Sequence, residues 1–412
     1  MLKKQLAYKK SIIKHLYFSG ALSSGELSDR VGKSLPLVTK VLNGLIEEGS
    51  VIDTGLAPST GGRRRSMYAL KPDVMYIVSV AMDQFVTRIA IIDMHNRPVR
   101  DIEKFELSLE KNPDALCTLA GNIAQVIHSS GIPLEKIVGI GIGMPGFVDA
   151  LKGVNYSFLE IPDDSIIEYI SSRLHLPVFI DNDSSLIALA ELRFGAARNK
   201  RSAMVINIGW GIGLGLILSG ELFRGNNGFA GEFSHLPLFS NNKLCSCGKS
   251  GCLETEASLL VVIDKVIEGV KKGEITTLSH LPVESVDQAA VDIITAARKG
   301  DRLAVRLLSE AGYNIGRGVA ILIHLLNPEV IVLSGRGSIA GKIWQAPIQQ
   351  ALNEHCIPRL ASGSEIILSA LGYSAEIIGA GALVMENYEK DRKNFYAILK
   401  LSSSQKPKTN CS

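Results

Sequence analysis

The densest chemistry in the sequence is His235, Cys245, Cys247 and Cys252, one imidazole and three thiols within 18 residues. Soft sulfur and a ring nitrogen at these separations suit a tetrahedral Zn²⁺, and four protein ligands would make the site closed and structural. A redox pair and an incidental thiol group are the alternatives. Cys-x-Cys matches neither the usual redox spacing nor the commonest zinc-finger spacing.

A second chemical signal is Gly61-Gly62-Arg63-Arg64-Arg65. Two glycines free the backbone of a loop tip, and three neighbouring arginines can neutralise phosphates or reach into a minor groove. The charge balance agrees: residues 1–71 hold 12 Lys and Arg against 5 Asp and Glu, whereas the rest holds 32 against 36, an asymmetry hidden in the net +3. The basic end is a polyanion-binding candidate, with a solvated basic surface as the alternative.

The elements that would carry those arginines are legible. Leu6, Ile12, Ile13 and Leu16 recur at near-helical spacing between Gln5 and Phe18; Ser23-x-x-Glu26 reads as a capping box for a short helix stopped by Gly32. A third helix opens near Ser34-Leu35-Pro36 with Leu35, Val38, Leu42, Leu45 and Ile46 on one face and Lys33, Thr39, Lys40 and Asn43 on the other. Val51–Asp53 and Ser66–Leu70 then read as strands flanking the arginine loop, which completes a winged helix-turn-helix. Lys33, Ser34, Thr39, Lys40, Asn43, Arg63, Arg64 and Arg65 are the expected DNA contacts, against the alternative of a three-helix protein-docking domain.

The composition, with 46% apolar and 21% charged residues, 39 Gly and 15 Pro in 412 residues, is that of a globular protein and excludes disordered, collagen-like and coiled-coil classes. Six cysteines without a secretory start point to a reducing cytoplasm. Residues 202–220 carry no charge, yet their five glycines and Asn207 favour strand, turn and strand over a membrane span. Beyond Pro72, strands at Met75–Ala81, Arg88–Asp93, Ile137–Gly143, Val178–Ile180, Ala203–Ile208, Leu214–Leu218 and Val330–Ser334 alternate with helices such as Ala115–Ser129, Leu259–Lys271 and Arg302–Leu326, an α/β layout.

Six phrases carry a resemblance: Gly141-Ile-Gly-Met-Pro-Gly146, Asp181-Asn-Asp183, Gly209-Trp-Gly-Ile-Gly213, Ala230-Gly-Glu-Phe-Ser-His235, the Cys245–Glu254 segment and Ile378-Gly-Ala-Gly-Ala-Leu383. On them the chain resembles the ROK family of repressors, open reading frames and sugar kinases. The resemblance implies a two-lobed α/β sugar-kinase/actin-like (ribonuclease H-like) fold behind the winged helix-turn-helix. Residues 1–71 would form the DNA-binding domain and 72–195 a first lobe completed by about 380–400; 196–379 would form a second lobe with the zinc loop, and 401–412 a flexible tail.

In the family's kinases a sugar between the lobes is deprotonated by the aspartate of an Asn-Asp pair, matched here by Asn182 and Asp183. Asn155, Glu232, His235 and Glu254 are the other implied hydroxyl-binding positions, and the family's zinc motif falls on the His235/Cys245/Cys247/Cys252 set. Asp183 could equally open the helix at Ser184, which is compatible with sugar binding.

Two departures stand out. Kinase members carry Asp-x-Gly-Gly-Thr on the first hairpin, where this chain has Ala81-Met-Asp-Gln-Phe85; the second phosphate loop, Gly-Thr-Gly, is here Gly209-Trp210-Gly211. Bulk and a carboxylate in phosphate space are expected to abolish phosphoryl transfer, which depends on positioning and charge. The sequence therefore predicts a sugar-responsive, homodimeric or homotetrameric transcriptional regulator, a repressor in its expected sign. It would bind an operator DNA and a monosaccharide or sugar derivative, with no membrane partner and Asp183 a vestigial base. A ROK-type sugar kinase with a DNA-binding domain is the alternative.

Overall fold

The computed structural model describes residues 2–57, 64–159, 165–282 and 285–390. The loop tip with Arg63 and the tail 401–412 lie outside the described residues. Helix α1 (Leu2–Ser19) buries Ile12, Ile13, Leu16 and Tyr17, which fall on one helical face. After strand β1 (Leu22–Ser23), helix α2 (Ser24–Val31) opens on the expected capping box: the Glu26 amide donates to Ser23 Oγ at 3.3 Å and the Ser23 amide to Glu26 Oε2 at 2.8 Å. Gly32 stops it in the left-handed region. Helix α3 (Leu35–Glu47) buries Val38, Val41, Leu42 and Leu45. Strands β2 (Val51–Leu56) and β3 (Ser66–Leu70) join β1 in an antiparallel sheet of order β1-β3-β2, completing the winged helix-turn-helix.

This domain is packed, not tethered. The Tyr17 hydroxyl is bonded to Asn96, Lys14 Nζ donates to the Glu386 carbonyl at 3.0 Å and reaches Glu389 at 3.1 Å, and His95 Nε2 lies 3.0 Å from the Leu70 carbonyl. Burial pushes the Tyr17 phenol well above its ordinary range, with the Asp93 charge adding to the effect.

The following five-stranded sheet contains β4 (Tyr76–Met82), β5 (Val86–Ile92), β6 (Glu103–Glu106), β7 (Ile137–Met144) and β10 (Val178–Asn182), in the order β10-β7-β4-β5-β6. Helices α4 (Ala115–Ser130) and α5 (Ile166–Leu174) belong to it, as does the small hairpin β8 (Val148–Asp149) and β9 (Val154–Asn155). The glycines of β7 have a packing reason: a Cβ on Gly141 would stand 2.0 Å from the Ala380 carbonyl oxygen of the returning helix Ala375–Glu386.

The chain divides at Asn182/Asp183 and again at Glu376/Ile377 into two compact units, the second being Asp183–Glu376. The second unit opens with α6 (Asp183–Phe194) and has its own sheet: β11 (Ser202–Ile208), β12 (Ile212–Leu218), β13 (Glu221–Phe223), β14 (Val330–Ser334) and β15 (Glu365–Leu368). Its order is β13-β12-β11-β14-β15, and β11 and β12 are the antiparallel pair that the uncharged run at 202–220 suggested. Helices α7 (Glu254–Ala257), α8 (Leu259–Lys271), α9 (Val286–Arg298), α10 (Arg302–Leu326), α11 (Lys342–His355) and α12 (Pro358–Ala361) complete it.

The two sheets share one plan. In each, a three-strand antiparallel meander (β4-β5-β6; β11-β12-β13) continues through its first strand into two parallel strands (β7, β10; β14, β15). This is the α/β class expected from the resemblance, with the winged helix-turn-helix in front. No helix among the described residues is long and apolar enough to cross a membrane.

The Gly141 seat is testable. Gly141→Ala is expected to destabilise by about 3 kcal/mol because carbonyl and strand cannot both give way. Gly121→Ala, with nothing near its Cβ position inside α4, is expected to stabilise by about 1 kcal/mol. Urea denaturation midpoints of the two variants, moving in opposite directions, are the check.

Candidate functional site

The second unit brings the four sulfur and imidazole groups together. Their ligand atoms all lie within 4.8 Å of one another. Cys247 Sγ and Cys252 Sγ are 3.7 Å apart, and Cys245 Sγ is 3.5 Å from His235 Nδ1. A tetrahedral ion with bonds of about 2.3 Å to sulfur and 2.0 Å to nitrogen would set these separations at about 3.8 and 3.5 Å. Cys245, Cys247 and Cys252 are free thiols, and the sulfur separation is far beyond a disulfide bond. The cluster can therefore hold a metal ion.

Burial pushes His235 down, keeping its imidazole neutral and able to ligate. Burial and the neighbouring sulfurs push the Cys252 thiol up, a crowding of thiolates that a bound cation would relieve. The loop bends back on itself by isolated bridges, Pro237 with Cys252 and Leu244 with Ser250. Gly251, at φ 76°, is required because a Cβ there would meet the Phe239 carbonyl oxygen at 2.0 Å.

A buried carboxylate missed in the sequence reading anchors the loop. Glu256 receives Asn241 Nδ2 and Lys243 from the strand of chain leading into Cys245, and Lys265 Nζ from α8 at 3.3 Å. Its pair of lysines offsets burial and holds the carboxyl below its ordinary range. A charged residue two positions after the expected Glu254 was the available signal, but its partners are set by tertiary packing.

Beside the thiol cluster stand three carboxylates. Asp183 is the first residue of α6, not a cap before it: its Oδ1 accepts from the Ser184 amide at 2.7 Å, and its Oδ2 accepts from Asn207 Nδ2 at 3.2 Å. Glu254 opens α7 and accepts from the Ile212 amide at 3.0 Å. Gly211 makes room for it, since a Cβ there would lie 2.6 Å from Glu254 Oε1. Glu232 lies 3.6 Å from His235 Nε2, the ring nitrogen turned away from Cys245. Burial, with the Asp183 and Glu254 charges added, pushes Glu232 up to about 7, and burial raises Glu254 too.

The two asparagines are held in the first unit. Asn155 is fully buried: its Oδ1 accepts from the Ser157 and Phe158 amides at 2.9 and 3.2 Å, and its Nδ2 donates to the Pro145 carbonyl at 2.9 Å. Asn182 Nδ2 donates to the Gly146 carbonyl at 3.1 Å. Both brace the turn after β7.

On the winged helix, Lys33, Ser34, Lys40, Asn43, Arg64 and Arg65 are exposed and Thr39 is half-buried. Ser34 spends no side-chain bond on capping α3. Arg63 lies outside the described residues.

The two turns that the resemblance aligns with the phosphate loops are occupied by their own side chains. In the 81–85 turn the Asp83 carboxylate accepts from the Phe85 and Val86 amides, both at 2.8 Å. In the 209–211 turn the Trp210 indole is buried at 6% exposure.

Glu256→Ala is expected to weaken metal retention by about 10–100-fold, the usual effect of losing a group that orients ligands, while Cys247→Ser should remove most of it. Competition with a chromogenic chelator reads both.

Comparison with known proteins places this architecture. The ROK family pattern matches residues 81–387. A glucokinase of Halalkalibacterium halodurans is 33% identical over 292 residues, 69% of this chain and 88% of that protein. The xylose repressor of Caldicellulosiruptor bescii is 28% identical over 387 residues, 91% of this chain and 94% of the repressor. Among solved structures, a ROK family transcriptional regulator described as a homologue of the E. coli MLC protein superposes with a TM-score of 0.76 at 25% identity, covering 97% of this chain and all of that one. With the family pattern spanning both five-stranded sheets, the chain belongs to the ROK family.

Proposed function

We propose that the protein is a DNA-binding transcriptional regulator, a repressor in its expected sign, whose ROK portion senses a monosaccharide or a derivative of one. One observation carries the reading: in the turns aligned with the phosphate loops, Asp83 takes the Phe85 and Val86 amides and Trp210 is buried, whereas the carboxylates implied for the sugar, Asp183, Glu232 and Glu254, are all present and mutually close. Asp183, Glu232, His235 and Glu254 would bind the sugar hydroxyls, with Asn155 and Asn182 in the same role by the resemblance. Crowded carboxylates favour an uncharged polyol, which donates hydrogen bonds and adds no negative charge.

The metal in this reading is Zn²⁺, held by His235 Nδ1, Cys245, Cys247 and Cys252. Its part is structural: it would fix the loop that presents His235 Nε2 and Glu232. The proposed DNA surface is Lys33, Ser34, Thr39, Lys40 and Asn43 with Arg63, Arg64 and Arg65 of the wing. Relatives named as repressors support this by extending over the N-terminal domain, as the 91% coverage by the xylose repressor illustrates. A regulator of this kind would act in the cytoplasm as a homodimer or homotetramer on a two-fold operator.

The second reading, a sugar kinase with a DNA-binding domain, is favoured by the glucokinase relative and by the intact Asn182-Asp183 pair. Purified protein given ATP, Mg²⁺ and a panel of hexoses is expected to show no turnover; turnover abolished by Asp183→Asn would establish the kinase instead.

Two outcomes test the regulator. In a thermal-shift screen one sugar is expected to raise the melting temperature, and Asp183→Asn to remove that shift. Operator binding is expected to fall steeply with salt, and Lys40→Ala or Arg65→Ala each to lower the salt slope by about 1 if the side chain meets a phosphate. Sugar coupling of about 1–3 kcal/mol would appear as a 5–150-fold change in operator affinity by fluorescence anisotropy.

A further inference from the structure

Trp210 is not merely large; it is held. Immediately after β14 the sequence Gly335-Arg336-Gly337 places a buried arginine against it. The Arg336 guanidinium carbon lies 4.3 Å from the centre of the Trp210 ring and 4.5 Å from that of Tyr373. Nη2 donates to the Tyr373 hydroxyl at 2.5 Å and Nη1 is paired with Asp287 of α9. A flat, weakly hydrated cation thus occupies the slot between two aromatic faces, with its charge met by a carboxylate.

The loop carrying Arg336 has no slack. A Cβ on Gly335 would stand 2.1 Å from Asn207 Oδ1, and one on Gly337 would stand 2.5 Å from Ile208, so the backbone is pressed onto the end of β11, which leads into the 209–211 turn. Trp344 Nε1 donates to the Gly337 carbonyl at 2.7 Å and fixes the far side. Arginine and indole are therefore set by the same strand end.

We propose that Arg336 is a built-in ligand: the Trp210–Arg336–Tyr373 stack, fastened by Asp287, fills the place beside the second phosphate loop that a nucleotide base and its phosphates would take. Arg336 is then the residue that determines nucleotide exclusion. A planar guanidinium between rings reproduces the stacking a planar base would make, and its pairing with Asp287 leaves no unmet positive charge to draw a triphosphate. The inference rests on the regulator reading, because it explains how the nucleotide half of the site is closed.

The test uses the full chain and AMPPNP with Mg²⁺ as the probe. Wild type is expected to give no calorimetric binding at millimolar nucleotide, and the double variant Arg336→Gly/Trp210→Thr to bind with a Kd at least tenfold below the highest nucleotide concentration at which wild type shows none. Arg336→Gly alone is expected to raise iodide quenching of tryptophan emission at least twofold, since the other tryptophan, Trp344, is fully buried; Arg336→Lys should give part of that rise. Asp287→Asn, at a position about a third exposed, should loosen the stack in the same direction and guards against a misfolded glycine variant. Unchanged quenching in both Arg336→Gly and Asp287→Asn, or no gain of AMPPNP binding in the double variant while wild type binds none, overturns the inference and leaves the regulator reading standing. AMPPNP binding by wild type together with hexose phosphorylation overturns the regulator reading itself.

Discussion

Three carboxylates set close together in partly dry surroundings govern the second unit. Left alone, Asp183, Glu232 and Glu254 repel one another and each resists losing water, which is why Glu232 sits near 7. The chain meets part of that demand: the Ser184 and Ile212 amides and the Asn207 amide group are aimed at Asp183 and Glu254. A ligand meeting the rest, as proposed, would donate hydrogen bonds and add no negative charge. The Cys/His loop that carries His235 is a short irregular segment with little apolar core of its own. The Glu256 anchor holds it on one side, and a metal on the His235/Cys245/Cys247/Cys252 cluster, as proposed, would hold it on the other.

The 81–85 and 209–211 turns are both satisfied by side chains. In the first, Asp83 accepts from the Phe85 and Val86 amides. Beside the second, Arg336 stacks on Trp210 and Tyr373 and pairs with Asp287. Hydrogen bonds and packing at each turn are therefore complete within the chain, which is the ground for proposing that neither serves a nucleotide.

Features whose partners are near in sequence were legible in it. Ser23 and Glu26, three residues apart, gave the capping box. The four ligands, confined to 18 residues, gave the metal cluster, and Gly32 gave the helix stop. Features whose partners are distant were not. Gly141 stands in the sequence only as part of a family phrase, but its place is required by the Ala380 carbonyl. Asn155 reads as a ligand-binding amide, yet most of its bonding capacity serves the turn after β7. Asp83 was expected only to repel phosphate, and its role as acceptor for two amides depends on turn geometry. Arg336 escaped notice because Trp210, Asp287 and Tyr373 meet it only in the folded unit. Repetition between the two sheets was likewise invisible, since strand order and direction repeat while side chains do not.

The DNA-binding domain gives the last constraint. Tyr17, Lys14 and the His95 contact to Leu70 fasten it to the unit that ends at Asn182, so its recognition helix is oriented by a body and not by a flexible tether. An effector can then change operator affinity only through something that this body feels. Asp183 is where the chain leaves it, and Asp183 is also a proposed hydroxyl ligand. In the proposed reading a sugar bonded there must favour one state of the regulator over another, because a coupling free energy arises only from contacts that differ between states.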